Sequence, residues 1–99
     1  MIRGTTPTLE FTLPFEVSIL EDAYVTLAQK GIEVLSKRLG ECSCDKNKLV
    51  VTLKQEETLL LCCDYKTEIQ IRAKTLEGAA LASQILTVDT ERILKDGVI

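Results

Sequence analysis

The chain of 99 residues contains no histidine and no tryptophan. Without histidine, the sequence excludes Ser-His-Asp and Cys-His catalysis and most mixed metal sites, because these depend on an imidazole. Aromatic residues make up only 4% of the chain, so stacking platforms for single-stranded nucleic acid are not expected. The few glycines are dispersed and form no phosphate-binding loop. We therefore expect neither an enzyme nor a cofactor.

Concentrated positive charge and long apolar runs are missing as well. The formal net charge is −3 and the basic residues are scattered, whereas nucleic-acid binding calls for a basic face. The apolar run from Leu59 to Cys63 is too short to cross a bilayer, and Met1 to Pro7 do not resemble a secretory signal. We expect a cytoplasmic protein with no nucleic-acid partner and no membrane contact.

An alternating stretch from Lys66 to Lys74 gives the clearest structural signal. Apolar Ile69, Ile71 and Ala73 alternate with polar residues, and a period of two is typical of a strand with one buried face. Since one strand cannot cover that face, the pattern predicts further sheet packed against it.

A second alternating stretch runs from Pro7 to Pro14. Its inward side chains are Leu9, Phe11 and Leu13, and the flanking prolines favour an edge strand because proline cannot donate to a ladder. The outward residues of an edge strand are available to a partner that adds a strand. The candidate contact residues on this strand are Thr8, Glu10 and Thr12.

Further strands are separated by turn signals. Lys30-Gly31 predicts a hairpin between the runs 23–29 and 32–39, and a polar turn at 45–48 precedes a strand that directs Leu49, Val51 and Leu53 inward. Residues 55–61 are too few for a stable helix and predict one helical turn that crosses between sheets.

The segment from Ala80 to Val88 is apolar throughout and predicts a last, long central strand. Leu81 and Ile85 would face one side of this strand, and Ala82, Leu86 and Val88 the other. Together the patterns predict an all-β, antiparallel, immunoglobulin-like sandwich of about six to seven strands with one short helical turn. The domain covers residues 1–99, with residues 1–6 and 90–99 as candidate arms.

The acids and cysteines are the remaining reactive groups. Glu56, Glu57 and the segment 89–91 lie in polar turns, where a solvated surface is the ordinary interpretation. The cysteines allow three interpretations: packed or free thiols, ligands of one zinc ion, or a redox pair. The candidate ligands are Cys42, Cys44, Cys62 and Cys63.

Three segments carry a resemblance: Arg3 to Pro14, Leu53 to Thr58, and Ile93 to Ile99. Over nearly its full length the chain resembles small proteins encoded among prophage structural genes. It is similar, less closely, to the immunoglobulin-like N-terminal domain of phage baseplate upper proteins. The resemblance implies a β-sandwich that serves as a tail or baseplate component through protein contacts, without catalysis. It also implies the bacterial cytoplasm as the location during assembly, followed by the virion.

The resulting functional hypothesis is a non-enzymatic phage or prophage structural or adaptor protein. Its partners would be other protein subunits, including phage tail components and further copies of the chain in a homo-oligomer. The apolar end of the chain, Val98 and Ile99, is a second candidate contact besides the first strand. The alternatives are a small cytoplasmic thiol or zinc-binding protein and an interaction module outside phage biology.

Overall fold

The computed structural model describes residues 1–99 as two antiparallel sheets packed face to face. The smaller sheet has the order β1-β5-β4, and the larger sheet has the order β3-β2-β6, with β7 and β8 both paired to β6. The strands are β1 Thr8–Thr12, β2 Leu20–Gln29, β3 Ile32–Arg38, β4 Ser43–Asp45, β5 Lys48–Thr52, β6 Thr67–Thr75, β7 Ala80–Ala82 and β8 Leu86–Val88. The predicted antiparallel sandwich is confirmed.

The division of the strands between the two sheets agrees in part with that of a constant immunoglobulin domain. Its first, fourth and fifth strands form one sheet, and its third, sixth and seventh belong to the other. It differs from constant immunoglobulin domains at β2, which pairs with β3 and β6 instead of joining the sheet of the first strand.

Strand β6 lies inside the larger sheet, between β2 and the last two strands. Its alternating sequence gives the expected faces, because Ile69, Ile71 and Ala73 are buried while Arg72 and Lys74 are exposed. These side chains join the core, in which residues of both sheets pack together. The main cluster comprises Val25, Leu27, Leu35, Leu49, Val51, Leu53, Leu61, Ile69 and Ile71.

The predicted hairpin joins β2 to β3 through Lys30 and Gly31. Both residues have positive φ angles, 54° and 73°, as a two-residue turn between twisted strands requires. The predicted polar turn at 45–48 is also present, with β4 and β5 on either side of it. The crossing turn is the helix α1, Gln55–Thr58, and two 3₁₀ turns cover Val17–Ile19 and Leu39–Glu41.

The prediction of one long central strand from Ala80 to Val88 is wrong. The segment forms two short strands at the edge of the larger sheet, separated by Ser83, Gln84 and Ile85. These three residues lie opposite two residues of β6, because Ala82 pairs with Arg72 and Leu86 pairs with Ile69. The extra residue is a β-bulge, and the Ser83 hydroxyl accepts a hydrogen bond from the Ile71 N–H at 3.0 Å.

The two ends of the chain lie against each other. Ile2 forms a parallel bridge with Glu91, and the Arg3 guanidinium donates to the carbonyls of Leu59 and Leu61 at 2.9 and 2.6 Å. At the other terminus, Ile99 exchanges two hydrogen bonds with the Gln55 side chain. Both candidate arms therefore contact the loop and helix that follow β5.

Candidate functional site

The free edge of β1 is the first part of the candidate site. β1 pairs only with β5, and Pro7 and Leu13 at its ends also bond toward that side, through Leu53 and Asn47. Residues of an antiparallel pair alternate between bonded and open positions. Since 7 and 13 are bonded positions, the N–H and C=O groups of the intervening even-numbered residues face the open side. Those residues are Thr8, Glu10 and Thr12.

The side chains of these residues form a polar, exposed stripe. The Thr8 hydroxyl lies 3.1 Å from that of Thr52, and Glu10 forms an ion pair of 3.3 Å with Lys48. Both contacts are made with β5, so none of them covers the free edge. The three residues that the sequence singled out on this strand thus offer backbone groups and side chains to a partner.

An uncovered apolar surface lies in the larger sheet at the same side of the molecule. Leu81 pairs with Ala73 and Leu86 pairs with Ile69, so both leucines are on the core face. Their partners are 8% and 4% exposed, yet Leu81 is 37% exposed and Leu86 is 53% exposed. The smaller sheet therefore ends before it reaches β7 and β8. We call Leu81 and Leu86 the apolar shelf.

The bulge creates this shelf. In an uninterrupted strand, residues 81 and 86 would point to opposite faces because they are an odd number of positions apart. The extra residue at 83–85 restores the phase, so both leucines face the core side. The sequence pattern predicted opposite faces because it contains no signal for the bulge.

A cleft of about 280 Å³ lies between the segment that follows β1 and the Leu81 end of the shelf. On the side of the smaller sheet it is lined by Leu13, Pro14 and Phe15, which continue from β1. On the other side it is lined by Ile71, Ala73, Leu81, Ala82 and Ser83. The lining carries no charged side chain, and the whole segment from Gly78 to Val88 is also uncharged. The open side of the sandwich is therefore apolar inside and has free backbone groups along one rim.

The opposite edge of the larger sheet, formed by β3, is protected against pairing with another strand. Lys37 of β3 points inward, with 8% of its side chain exposed, and its ammonium group lies 2.6 Å from Glu57 of α1. An inward-pointing charge on an edge strand opposes pairing with another chain. The interpretation of Glu57 as a solvated surface acid is wrong, because this carboxylate is 23% exposed and anchors a buried lysine.

The pKa values of this pair reflect the contact. The hydrogen bond to Glu57 raises the pKa of Lys37, and burial opposes the rise without cancelling it. Burial raises the pKa of Glu57, but the hydrogen bonds from Lys37 and from the Lys54 N–H outweigh it, so the pKa lies below its ordinary value. Both groups are thus held in their charged forms.

The second predicted contact, at the end of the chain, is exposed. Val98 is 55% exposed and Ile99 is 98% exposed. The hydrogen bonds between Ile99 and Gln55 hold the tail at the start of α1, two residues after Leu53, whose N–H donates to the Pro7 carbonyl. The tail is thereby attached near the point where β1 begins.

The four cysteines do not converge. All are free, and no group of three or more metal-ligating side chains comes together in the structure. The Cys42 thiol donates to the Arg38 carbonyl at 3.4 Å, and Cys62 lies beside Asp64. Burial, with added contributions from Cys44 and Glu41, raises the pKa of the Cys42 thiol, which disfavours the thiolate that binds metals.

A buried polar cluster around Gln29 was not predicted. The Gln29 amide donates to the carbonyls of Cys62 and Tyr65 at 2.8 and 3.2 Å and accepts from the Cys62 N–H at 2.9 Å. Beside it, the hydroxyls of Thr67 and Thr90 lie 2.6 Å apart. The cluster fixes the loop before β6, and the only sequence signal for it is a glutamine at an inward position of β2.

These features define an antiparallel β-sandwich with one open, apolar side. Comparison with protein-family models, with curated proteins and with solved structures gave no match. No helix in the structure has the length and apolar character needed to cross a membrane.

Proposed function

We propose that this protein is a non-enzymatic structural or adaptor component of a phage or prophage particle, in the tail or baseplate region. It works through contacts with other protein subunits, in the bacterial cytoplasm during assembly and then in the virion. The observation that carries the protein-contact role is the free edge of β1 beside the exposed Leu81 and Leu86. The resemblance of three segments to prophage structural proteins supports the setting.

Two properties of the open side favour protein contact over other roles. Free N–H and C=O groups along a strand edge pair most readily with another extended backbone. Leu81 and Leu86 are 37% and 53% exposed, and their burial against a partner lowers the free energy of the complex. A partner subunit with an extended segment can therefore bond to the backbone groups of β1 and cover the apolar side chains at the same time.

Photo-crosslinking in the native host tests this proposal. A photoreactive amino acid is placed at Thr12, on the free edge, and the lysate is fractionated after prophage induction. We expect crosslinks to a tail or baseplate protein, in fractions that contain assembling particles. The matched control is the same amino acid at Leu76, which is 68% exposed on the turn after β6 and should give few crosslinks.

The result also separates the alternatives. Crosslinks from Thr12 to a protein unrelated to the particle would replace the phage setting with another interaction module. Equal labelling from Thr12 and Leu76 would remove the free edge as the contact surface.

A further inference from the structure

The open side of the sandwich has room for one more strand in the smaller sheet. Leu13 shares the cleft with Ile71 and Ala73, which places the end of β1 over β6. β7 and β8 lie one after the other along the same edge of β6, so the larger sheet continues past β1 by the width of one strand. Neighbouring strands of a sheet lie about 4.8 Å apart, so one strand added to β1 would lie over the apolar shelf.

We propose that the open side binds one extended segment of a partner protein, uncharged on its inward face, which pairs with β1 and packs alternate apolar side chains on Leu81 and Leu86. The proposal rests on the proposed function, since it names the chemistry of the partner at that site. The segment becomes the fourth strand of the smaller sheet and completes the sandwich.

The chemistry of the site selects this occupant. The backbone groups of Thr8, Glu10 and Thr12 require an extended partner, and β1 is about 17 Å long, which matches a segment of about five residues. The floor is uncharged, so a charged side chain on the inward face would be desolvated without a counter-ion. Alternate residues of the partner must therefore be apolar, while the residues between them face water.

A second copy cannot use its own β1 for this purpose. Antiparallel pairing of β1 with β1 places a two-fold axis perpendicular to the sheet, between the two strands. Each larger sheet extends past its own β1 toward that axis. Because β6 lies beneath β1, the projecting β7 and β8 of each copy would then occupy the place of β6 of the other copy. The occupant is a single segment and not the edge of a second sandwich.

A fused strand tests the proposal without a known partner. The sequence Thr-Val-Thr-Val-Thr-Val is attached after Ile99 through Gly/Ser linkers of about 12 or 20 residues, which span roughly 20 or 25 Å. We expect hydrogen exchange at the Thr8, Glu10 and Thr12 amides to slow by about tenfold or more in the fusion, as newly bonded amides do. The control fusion carries Thr-Asp-Thr-Asp-Thr-Asp and should leave these rates unchanged.

Substitutions locate the added strand. In the valine fusion, Leu81→Lys should remove most of the protection, whereas Leu76→Lys should not. Glu10→Pro removes an outward N–H and should also abolish the protection of Thr8 and Thr12, while every backbone hydrogen bond to β5 is kept.

Three results would overturn the proposal: unchanged exchange rates with both linkers, equal protection by the valine and aspartate fusions, or β1 amides already protected in a dimer of the unfused chain. The last result would identify a second copy as the occupant. The fusion experiment needs no phage protein, so it can succeed when the crosslinking experiment fails, and the reverse also holds.

Discussion

At the scale of single residues, Gln29 contributes more to stability than its polar character indicates. It is 7% exposed and bonds to Cys62 in both directions. We predict that Gln29→Ala lowers the free energy of unfolding by about 1–3 kcal/mol, because the buried N–H and carbonyl groups lose their partners. Urea denaturation measures the change. Gln84→Ala, at an exposed glutamine in the bulge, is the control, and an equal loss in both variants would contradict the assignment.

The pair of Lys37 and Glu57 predicts a pH dependence. The lowered pKa of Glu57 means that its contribution to stability is present above its ordinary pKa of 4.5 and is lost as the pH falls through the lower, folded value. The raised pKa of Lys37 means that its contribution is present below its ordinary pKa of 10.5 and is lost as the pH rises through the higher, folded value. Between these limits the contribution of the pair is constant.

We therefore predict that Glu57→Gln lowers stability by about 1.5–3 kcal/mol at neutral pH, since the buried Lys37 ammonium loses a charged hydrogen-bond partner and keeps only the more distant Glu41. The variant should also lose less stability than the wild type as the pH falls below about 4. Thermal denaturation from pH 3 to 8 checks both effects. Glu56→Gln, at the exposed neighbouring acid, should change neither the midpoint nor its pH dependence. A matching change in that control would contradict the role given to the pair.

At the scale of elements, β1 predicts an alternating pattern of hydrogen exchange. The N–H groups of Leu9 and Phe11 face β5, whereas those of Thr8, Glu10 and Thr12 face the open side. In the free protein, the amides of Leu9 and Phe11 should exchange at least about tenfold more slowly than those of the other three residues. NMR-detected exchange measures each rate. Uniform protection along β1 would show that its edge is already covered.

The sequence predicts those elements in which the local pattern of apolar and polar residues matches the burial that the fold imposes. Alternation gives β1, β5 and β6 their inward faces, and Lys30-Gly31 marks the hairpin, because these signals arise within a few residues. The edge residues of the candidate site follow from the prolines around β1 in the same way. The apolar shelf could not be predicted from the sequence, since the apolar segment 80–88 is equally compatible with a central strand. Its exposure depends on where the other sheet ends, which is a property of the whole fold.

At the scale of the molecule, the two sides of the sandwich differ in how readily their edge strands can pair with another chain. One side presents β3, where an inward lysine and the charged residues Glu33 and Arg38 oppose pairing. The other side presents β1, the uncharged β7 and β8, and a cleft between them. Of these two edges, the one formed by β1 is therefore the better suited to pairing with an extended segment of another chain.

The tail is a second candidate contact surface, and we assign to it the homo-oligomer expected from the sequence. Val98 and Ile99 are exposed, and the segment 96–99 is held only by a surface ion pair to Arg3 and by bonds to Gln55. Such contacts contribute about 1 kcal/mol or less, so deleting residues 96–99 should change the melting temperature little. We predict that the full chain forms a homo-oligomer through these apolar side chains.

Light scattering coupled to size-exclusion chromatography of the reduced protein measures this association. The deletion variant should elute as a monomer, whereas Glu10→Pro should keep the mass of the full chain, because the free edge of β1 serves a different partner. If the full chain is already a monomer, or if the deletion leaves its mass unchanged, the tail is not the self-association surface. If Glu10→Pro also dissociates the oligomer, the tail of one copy occupies the open side of the next, and the two surfaces are halves of one contact.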